Sequence, residues 1–311
     1  MKILITGALG HIGSRFIHGI KPGEFEEVVM IDNLSTQRYA SLFNLPKGVK
    51  FRFFDEDICT ADLDKFFKGI DLVIHFAAIA DASMGYDRKD KVEETNFNGT
   101  RRVADACVKN NCKLIFPSTT SVYGTLKSMV DENCSPEEIK PQSPYAESKL
   151  KAESYLQELG ASGGLQFIIC RFGTIYGISI GMRFHTAINK FCFQAVMGKP
   201  ITVWTTALHQ KRPYLDLKDA VAALNFIIKK DLFDNRIYNI LSVNTDVKNI
   251  LDIISSYLGA PEVKHVDSQV MNQLSYDVSS ARFRERGFEF KGDLKKGIFE
   301  TIDMLRSANG R

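Results

Sequence analysis

Short apolar runs recur along the first 172 residues of the chain, separated by segments with the helical periodicity of about 3.6 residues. Two examples of these helical segments are residues 92–110 and 145–159. Because successive parallel strands need a crossover connection, this alternation predicts a parallel sheet that helices cover on both faces. The predicted strands span residues 2–6, 27–31, 49–54, 72–76, 113–117 and 167–171.

The first predicted strand runs directly into a loop with glycines at positions 7, 10 and 13. Gly7 can make the tight turn out of the strand, and Gly10 lets the backbone approach a ligand without an intervening side chain. Gly13 lets the following helix pack close to the sheet. The amides and the dipole at the start of that helix favour an anion. This strand, loop and helix together predict a site for the pyrophosphate of a dinucleotide.

The second predicted strand is followed by Asp32, about 20 residues after the last of these glycines. A carboxylate at this position accepts hydrogen bonds from the adenosine ribose and repels a 2'-phosphate, so the spacing favours NAD over NADP. An ordinary Asp-Asn turn after a strand is the structural alternative. Arg38 lies nearby in the sequence and could weaken the preference for NAD.

After residue 172 the pattern loosens into a glycine-rich stretch, residues 173–181, and then mixes helices with short strands. We predict an α/β fold of the Rossmann type, a doubly wound parallel sheet with a smaller C-terminal α/β substrate lobe. The predicted NAD-binding domain spans residues 1–172, with residues from about 213 to 242 packing back on it. The predicted substrate-binding lobe spans residues 173–311, with helices at 184–197, 219–230, 247–258 and 293–306.

Composition narrows the class of protein. Hydrophobic residues make up 44% and charged residues 25% of the 311 residues, which are ordinary values for a globular protein. The formal net charge is +3 and the basic residues are scattered, so we expect no nucleic-acid partner. No apolar run approaches the roughly 18–20 residues that cross a bilayer, so we expect no membrane partner and a cytoplasmic location. The six cysteines contain no Cys-x-x-Cys pair, and we expect reduced thiols, no metal site and no disulfide framework.

Residues 143–149, Ser-Pro-Tyr-Ala-Glu-Ser-Lys, predict a helix start with Ser143 as the N-cap and Pro144 at the first helical position. Tyr145 and Lys149 are four residues apart and therefore share one helix face. A nearby ammonium group favours a phenolate, so we expect Lys149 to lower the pKa of Tyr145 from about 10 toward the working pH. Such a tyrosine can act as general base toward a substrate hydroxyl.

A run of hydroxyl side chains, residues 118–121, follows the predicted strand at 113–117. The carboxyl edge of a parallel sheet is where α/β proteins bind their ligands, so one of these hydroxyls is expected to hydrogen-bond the reacting oxygen. A Ser/Thr-rich turn that caps the strand is the structural alternative.

In these residues the chain resembles the extended short-chain dehydrogenase/reductase family, in its NAD-dependent nucleotide-sugar epimerase and dehydratase branch (UDP-glucose 4-epimerase-like). The resemblance runs from residue 2 to about 240. It rests on an ordered set of motifs: Thr6-Gly7-x-x-Gly10-x-x-Gly13, Asp32-Asn33-Leu34-Ser35, Asp57-Ile58, His75-Phe76-Ala77-Ala78, Asn96-x-x-Gly99-Thr100, Ser118-Thr119 through Val122-Tyr123-Gly124, Tyr145-x-x-x-Lys149, Arg171-x-x-x-x-Tyr176-Gly177, and Arg212-x-Tyr214 through Asp219.

The resemblance implies NAD as the cofactor and assigns residues to it. His11 is expected to face the phosphates through its backbone only, Asn96 to support the active-site helix, and Lys149 to bind the nicotinamide ribose. The implied cofactor-binding residues are Gly7, Gly10, His11, Ile12, Gly13, Asp32, Asn33, Asp57, Ile58, Phe76, Ala77, Ala78, Asn96, Tyr145 and Lys149.

The resemblance also implies that Thr119 is the catalytic hydroxyl, with Tyr145 as base and Lys149 beside it. Family members that remove water from the sugar carry an Asp-Glu pair after the catalytic threonine, where this chain has Thr120 and Ser121. Without that pair, the reaction that the remaining residues support is hydride transfer at a carbinol carbon. We therefore expect a nucleotide-sugar epimerase that acts by transient oxidation at C4. Release of the ketone would make the protein a net dehydrogenase or reductase instead. A non-catalytic NAD-sensing or scaffold protein is the alternative from another class.

The expected substrate contacts lie partly in the second half. Arg212 matches an arginine that the family uses against the nucleotide diphosphate, although a solvent-exposed arginine is the alternative. The family often has asparagine where Thr174 stands, and a second arginine where residues 270–278 contain none, so Arg183 is the candidate replacement. The predicted substrate-binding residues are Thr119, Thr120, Thr174, Arg183 and Arg212. The helices at 92–110 and 145–159 resemble the pair through which the family forms homodimers.

Overall fold

The computed structural model describes residues 1–80, 88–124, 127–267 and 275–307. Within these residues the largest sheet has seven strands, all parallel: β1 (Lys2–Thr6), β2 (Glu27–Asp32), β3 (Phe51–Asp55), β4 (Leu72–His75), β5 (Lys113–Thr119), β7 (Phe167–Phe172) and β11 (Ile237–Ile240). Their order across the sheet is β11-β7-β5-β4-β1-β2-β3. The remaining strands are β6 (Met129–Val130), β8 (Thr174–Tyr176), β9 (Ile201–Trp204), β10 (Arg212–Asp216), β12 (Val243–Thr245), β13 (Val263–Val266) and β14 (Asp277–Val278).

The strand order of the main sheet reverses between β1 and β4. Strands β2 and β3 lie on one side of β1 in the sheet, and the next strands in the chain, β4, β5 and β7, lie on its other side. Thr6 pairs with His75 at the carboxyl ends of β1 and β4, so the loops that follow both strands leave the sheet at the same edge. In doubly wound sheets this switch point is where a ligand binds. The predicted Rossmann-type fold is confirmed.

Helices cover both faces of this sheet, as the apolar runs predicted. The bounds are α1 (His11–Gly19), α2 (Asp64–Phe67), α3 (Lys89–Glu93), α4 (Gly99–Asn110), α5 (Pro144–Ala161), α6 (Ala187–Val196), α7 (Leu217–Lys230), α8 (Val247–Leu258), α9 (Ala281–Arg284) and α10 (Leu294–Ser307). Ile3 and Ile5 of β1 pack with α1 and α7 in one apolar cluster. Leu4, whose side chain points to the opposite face, packs with α4 and α5 in another.

Helix α5 begins where it was predicted, whereas the helix predicted at 92–110 is interrupted. Ser143 caps α5 by accepting a hydrogen bond from the backbone N–H of Ala146 at 3.2 Å, with Pro144 as the first helical residue, as predicted. The helix predicted at 92–110 is instead divided, because a π-helical turn at Glu94–Asn98 separates α3 from α4. Single π-turns of this kind often occur at functional sites.

The second half of the chain builds smaller sheets beside the main one. In the described residues β8, β10 and β12 form a three-stranded sheet, and β9 pairs with β13. Helices α6, α8 and α10 contribute to a separate apolar cluster with β9. The six cysteines carry free thiols, four of them buried. Across the ranges that the structure describes, none of the helices is both long enough and apolar enough to cross a membrane.

Candidate active site

The glycine loop leaves β1 at the switch point of the sheet. Gly7 has a φ of +65°, and a Cβ atom there would lie 2.5 Å from the backbone nitrogen of Ala77. A Cβ at Gly13 would lie 2.6 Å from the carbonyl oxygen of Ala8. Glycine is required at both positions, because any side chain would displace backbone atoms. The loop is therefore held tightly against the segment that follows β4.

Helix α1 begins at His11, with Gly10 as its N-cap, and no side chain among the described residues caps this end. The N–H of Gly10 donates to the carbonyl of Gly7 at 3.1 Å, and the N–H of Ser14 donates to the carbonyl of Gly10 at 2.8 Å. The amides of the first turn, which include Ile12 and Gly13, therefore lie at the positive end of the helix dipole. This end is suited to an anion.

Asp32 lies at the end of β2, beside the glycine loop. Its Oδ2 accepts a hydrogen bond from the N–H of Leu9 at 3.1 Å, and its Oδ1 accepts one from the N–H of Leu34 at 3.0 Å. Burial raises the pKa of Asp32, and the two backbone bonds and the Arg38 guanidinium oppose that rise. The structure thus places this carboxyl group next to the loop, as the predicted ribose contact requires.

Three further predicted cofactor-binding residues, Asn33, Asp57 and Ile58, lie together on the loops after β2 and β3. Asn33 Nδ2 donates to Asp57 Oδ2 at 3.0 Å, which joins the two loops. Burial works against ionisation of Asp57, but hydrogen bonds from Cys59 and Asn33 hold its pKa below the ordinary value. Ile58 is buried against Gly99, where a Cβ would lie 2.8 Å from its Cδ1 atom.

The loop after β4, residues 76–80, is tied to both the sheet and α5. The N–H of Ala77, between Phe76 and Ala78, lies 3.4 Å from Thr6 Oγ1. Asn96 in the π-turn accepts from the N–H of Ile79 at 2.8 Å and donates to its carbonyl at 3.0 Å. Its amide also donates to Ser148 Oγ on α5 at 3.2 Å. The π-turn therefore places Asn96 where it connects this loop with the helix that carries Tyr145.

The structure brings Thr119, Tyr145 and Lys149 together at the carboxyl end of β5. The Tyr145 hydroxyl is hydrogen-bonded to the Thr119 side chain. Thr119 Oγ1 also accepts from the N–H of Ser121 at 3.1 Å, which leaves its own proton for the phenolic oxygen. Lys149 Nζ donates to the Pro117 carbonyl at 2.8 Å and lies 4.4 Å from the centre of the Phe116 ring.

The pKa of Tyr145 is shifted in the opposite direction to the one predicted from its spacing to Lys149. Burial raises the pKa of Tyr145, and the cation that opposes the rise is Arg183, helped by the hydrogen bond from Thr119. Burial also lowers the pKa of Lys149 to about 7, against the opposing charge of Glu153. The expected lowering of the Tyr145 pKa by Lys149 is therefore wrong for the protein alone, because both groups have lost water and the ammonium binds a backbone carbonyl.

A buried ion pair, whose role the sequence analysis missed, supports the same helix. Glu153 on α5 binds Arg171 on β7, with 2.6 Å between Oε2 and Nη2 and side chains that are 1% and 2% exposed. The hydroxyl of Ser118, next to Thr119, donates to the same carboxylate. The sequence did carry a signal for this residue, because Glu153 follows Tyr145 and Lys149 at the same four-residue spacing and therefore shares their helix face.

The predicted substrate residues lie on three parts of the chain: the end of β5, the stretch after β8, and the strands β8 and β10 themselves. The guanidinium of Arg183 lies near enough to Tyr145 and His11 for its charge to lower the pKa of both. The hydroxyl of Thr120 donates to the Phe172 carbonyl at 3.2 Å. Thr174 and Arg212 lie on β8 and β10 of the neighbouring sheet, where Arg212 Nη2 donates to Gln210 Oε1 at 3.0 Å.

Comparison with known proteins places this arrangement in a family. The sequence profile of the NAD dependent epimerase/dehydratase family matches residues 3–240. The chain belongs to this family. The match includes the glycine loop, Thr119, Tyr145, Lys149 and the ion pair behind them.

The individual relatives include both epimerases and dehydratases. An uncharacterized UDP-glucose epimerase, YtcB, from Bacillus subtilis is 27% identical over 99% of this chain and 98% of its own length. A dTDP-D-glucose 4,6-dehydratase from Bos taurus is 30% identical over 98% of this chain and 88% of its own length. A variant of UDP-glucuronic acid 4-epimerase from Bacillus cereus, solved in complex with NAD and UDP-4-deoxy-4-fluoro-glucuronic acid, is 25% identical. The match covers 99% of this chain and 100% of that structure, with a TM-score of 0.89.

The residues of the loop fit the NAD for which the family is named. A Cβ at Gly10 would lie 3.2 Å from the Gly7 carbonyl oxygen and 3.8 Å from Arg38 Nη1, so a side chain there would fill the space over the loop. His11 Nε2 is buried and has no hydrogen-bond partner among the described residues. The amides that start α1 would hold the pyrophosphate, and Asp32 would hold the adenosine ribose.

Gly7→Ala tests the fit of the loop. The added Cβ would meet the Ala77 nitrogen at 2.5 Å, in a left-handed backbone conformation that disfavours side chains, so the loop must shift. We expect the affinity for NAD, measured by calorimetry, to fall at least about tenfold, as small misplacements of binding groups do.

Gly19→Ala is the matched control, because it lies in α1 and a Cβ there meets nothing within 4 Å. It should leave NAD binding unchanged. Equal affinities of the two variants for NAD would show that the loop does not hold the cofactor.

Proposed function

We propose that the protein is an NAD-dependent nucleotide-sugar epimerase that inverts a sugar carbinol, at C4, by transient oxidation. The observation that carries the proposal is the hydrogen bond between the Tyr145 phenol and the Thr119 hydroxyl, close to a loop that fits NAD. Two such oxygens can hold and deprotonate one substrate hydroxyl. Membership of the family and the similarity to a UDP-sugar 4-epimerase support the same interpretation.

In the proposed reaction Thr119 orients the reacting hydroxyl and the Tyr145 phenolate removes its proton. When bound, oxidised NAD supplies the hydride acceptor and a positive charge that favours the phenolate. Lys149 would bind the nicotinamide ribose, which replaces part of the hydration that its ammonium has lost. Tyr145 returns its proton to the oxygen of the keto sugar once that sugar has turned its other face to the cofactor.

The positions after Thr119 favour epimerisation over dehydration. Thr120 and Ser121 occupy the places of the acid pair expected of a dehydratase. The Thr120 hydroxyl is engaged with the Phe172 carbonyl at 3.2 Å, and neither side chain offers a carboxyl group. Removal of water needs an acid for the departing hydroxyl and a base for the neighbouring proton, so these substitutions argue against it.

We also propose the division of the chain and its assembly. The NAD-binding domain would comprise residues 1–172 together with residues from about 213 to 242, which include α7 and the main-sheet strand β11. The rest of residues 173–311 would form the substrate lobe, with the sugar nucleotide between the two. Helices α4 and α5 would form a two-fold homodimer, since they lie side by side and Tyr155 of α5 donates to Asp105 of α4 on their exposed side. Light scattering that gave the mass of one 35.0 kDa chain would contradict the dimer.

The test is incubation of the protein and NAD with a panel of UDP-, dTDP- and GDP-hexoses, with products followed by NMR. We expect one nucleotide-sugar to be converted into its C4 epimer without net change in NAD. Stoichiometric formation of NADH would favour a net dehydrogenase. A protein that binds NAD but turns over none of the panel would be a sensing or scaffold protein, contrary to the proposal.

A further inference from the structure

The imidazole of His11 is a buried group that the proposed reaction does not use. It is the first residue of α1 and is 4% exposed. Its Nδ1 lies 2.9 Å from Ser179 Oγ, whereas its Nε2 is buried and lacks a hydrogen-bond partner within the described ranges. Nature rarely leaves a buried polar atom without a hydrogen-bond partner, because its lost hydration is then uncompensated. The open Nε2 therefore points to a ligand that supplies the missing partner.

Cationic side chains surround this imidazole. Burial, and after it the charges of Arg183, Arg38 and His185, lowers the pKa of His11 to about 3, so the ring is neutral at working pH. A neutral imidazole donates from one nitrogen and accepts at the other. Because the neighbouring charges and the start of α1 favour an anion, the tautomer that fits a ligand has Nδ1 accepting from Ser179 and Nε2–H free to donate.

The same imidazole lies where two segments of the chain meet. Ser179 and Gly181 belong to the stretch after β8, and they pack directly on the glycine loop. The N–H of Gly181 donates to Ser14 Oγ at 3.0 Å, and a Cβ at Gly181 would lie 2.3 Å from the Leu9 carbonyl oxygen. A ligand bound at Nε2 would therefore fix both the loop and the stretch that leads to Arg183.

We propose that His11 is a positioning residue whose Nε2–H donates a hydrogen bond to a phosphoryl oxygen of a bound diphosphate, while its Nδ1 holds Ser179. This goes beyond the expectation that His11 faces phosphates through its backbone alone, and it rests on the proposed function. The diphosphate is either the pyrophosphate of NAD or that of the nucleotide-sugar, since both present the same acceptor oxygens.

Two amide substitutions of His11 distinguish the roles of its two ring nitrogens. In His11→Asn the shorter amide can still reach Ser179 but leaves the Nε2 position empty, whereas in His11→Gln the longer amide places a donor near that position. Calorimetry on nucleotide-free protein, with NAD and UDP as separate probes, measures the effect without turnover. We expect His11→Asn to bind one probe about tenfold or more weakly, and His11→Gln to bind it within about threefold of the wild type.

The outcomes separate the source of the diphosphate and the cause of any loss. Weaker binding of NAD alone assigns the oxygen to the cofactor, and weaker binding of UDP alone assigns it to the substrate. Unchanged binding of both probes by His11→Asn would overturn the inference. So would equal losses in both variants, which would indicate packing only. A wild type that binds the probes but epimerises no sugar would refute the proposed function alone, and one that binds neither probe would refute both.

Discussion

Replacement of Tyr145 by phenylalanine should lower kcat by about two to four orders of magnitude, the usual contribution of a general base. The substitution removes the phenolic oxygen that is hydrogen-bonded to Thr119 and leaves the ring in place. Because only that oxygen takes part in proton transfer in the proposed reaction, NAD binding and the midpoint of thermal unfolding should change little. Initial rates of epimer formation, together with calorimetric titration of NAD, measure both expectations.

Tyr257→Phe is the matched control for this result. Tyr257 lies on α8, away from the proposed dimer helices, and its hydroxyl donates to Asp303 in an exposed position. Its removal should leave kcat within about twofold of the wild type, because surface substitutions rarely matter. An active Tyr145→Phe variant, or an equal loss in the two variants, would contradict the assignment of Tyr145 as base.

Replacement of Arg171 by methionine should lower the free energy of unfolding by about 3–5 kcal/mol. The guanidinium forms three hydrogen bonds with Glu153, and both side chains are almost fully buried. The variant would leave the Glu153 carboxylate without its counter-ion in the interior, which is the source of the large effect. Urea denaturation of the nucleotide-free protein measures the change.

Two further variants identify the cause of that loss. Glu153→Leu combined with Arg171→Met should recover part of the stability, because it removes the buried charge as well. Lys113→Met, which breaks an ion pair with Asp231 near the surface, should cost less than about 1 kcal/mol. If the double variant were no more stable than Arg171→Met, lost packing rather than an uncompensated charge would explain the result.

The main sheet was predictable because its strands are nearly continuous apolar runs, as expected when both faces of a strand are buried. The last strand, β11, was not predicted as a separate strand. Its four residues include Asn239, which is buried and accepts a hydrogen bond from Tyr123. A polar residue in so short a run removes the apolar pattern, and its partner lies far away in the sequence. The division between α3 and α4 was missed for a similar reason, since the contacts of Asn96 with Ile79 and Ser148 are tertiary.

The candidate site was predictable to a similar degree. Local spacing was enough to single out the glycine loop, Asp32 and the pair Tyr145 and Lys149. Spacing shows which groups are neighbours but not how much water they lose, so the direction of the Tyr145 pKa was predicted wrongly. The contacts of Glu153 with Arg171 and of His11 with Ser179 were not predicted, because these partners come from distant parts of the chain.

The most direct test of the central claim is the fate of the hydrogen on the inverted carbon. A nucleotide-hexose that carries deuterium at C4 is converted by the protein in ordinary water, and the epimer is analysed by NMR and mass spectrometry. Transient oxidation beside Tyr145 predicts that the product keeps its deuterium, because the hydride leaves C4 and returns to it without exchange with solvent. Loss of the deuterium to water would contradict the account, since inversion would then proceed through removal of a proton from carbon.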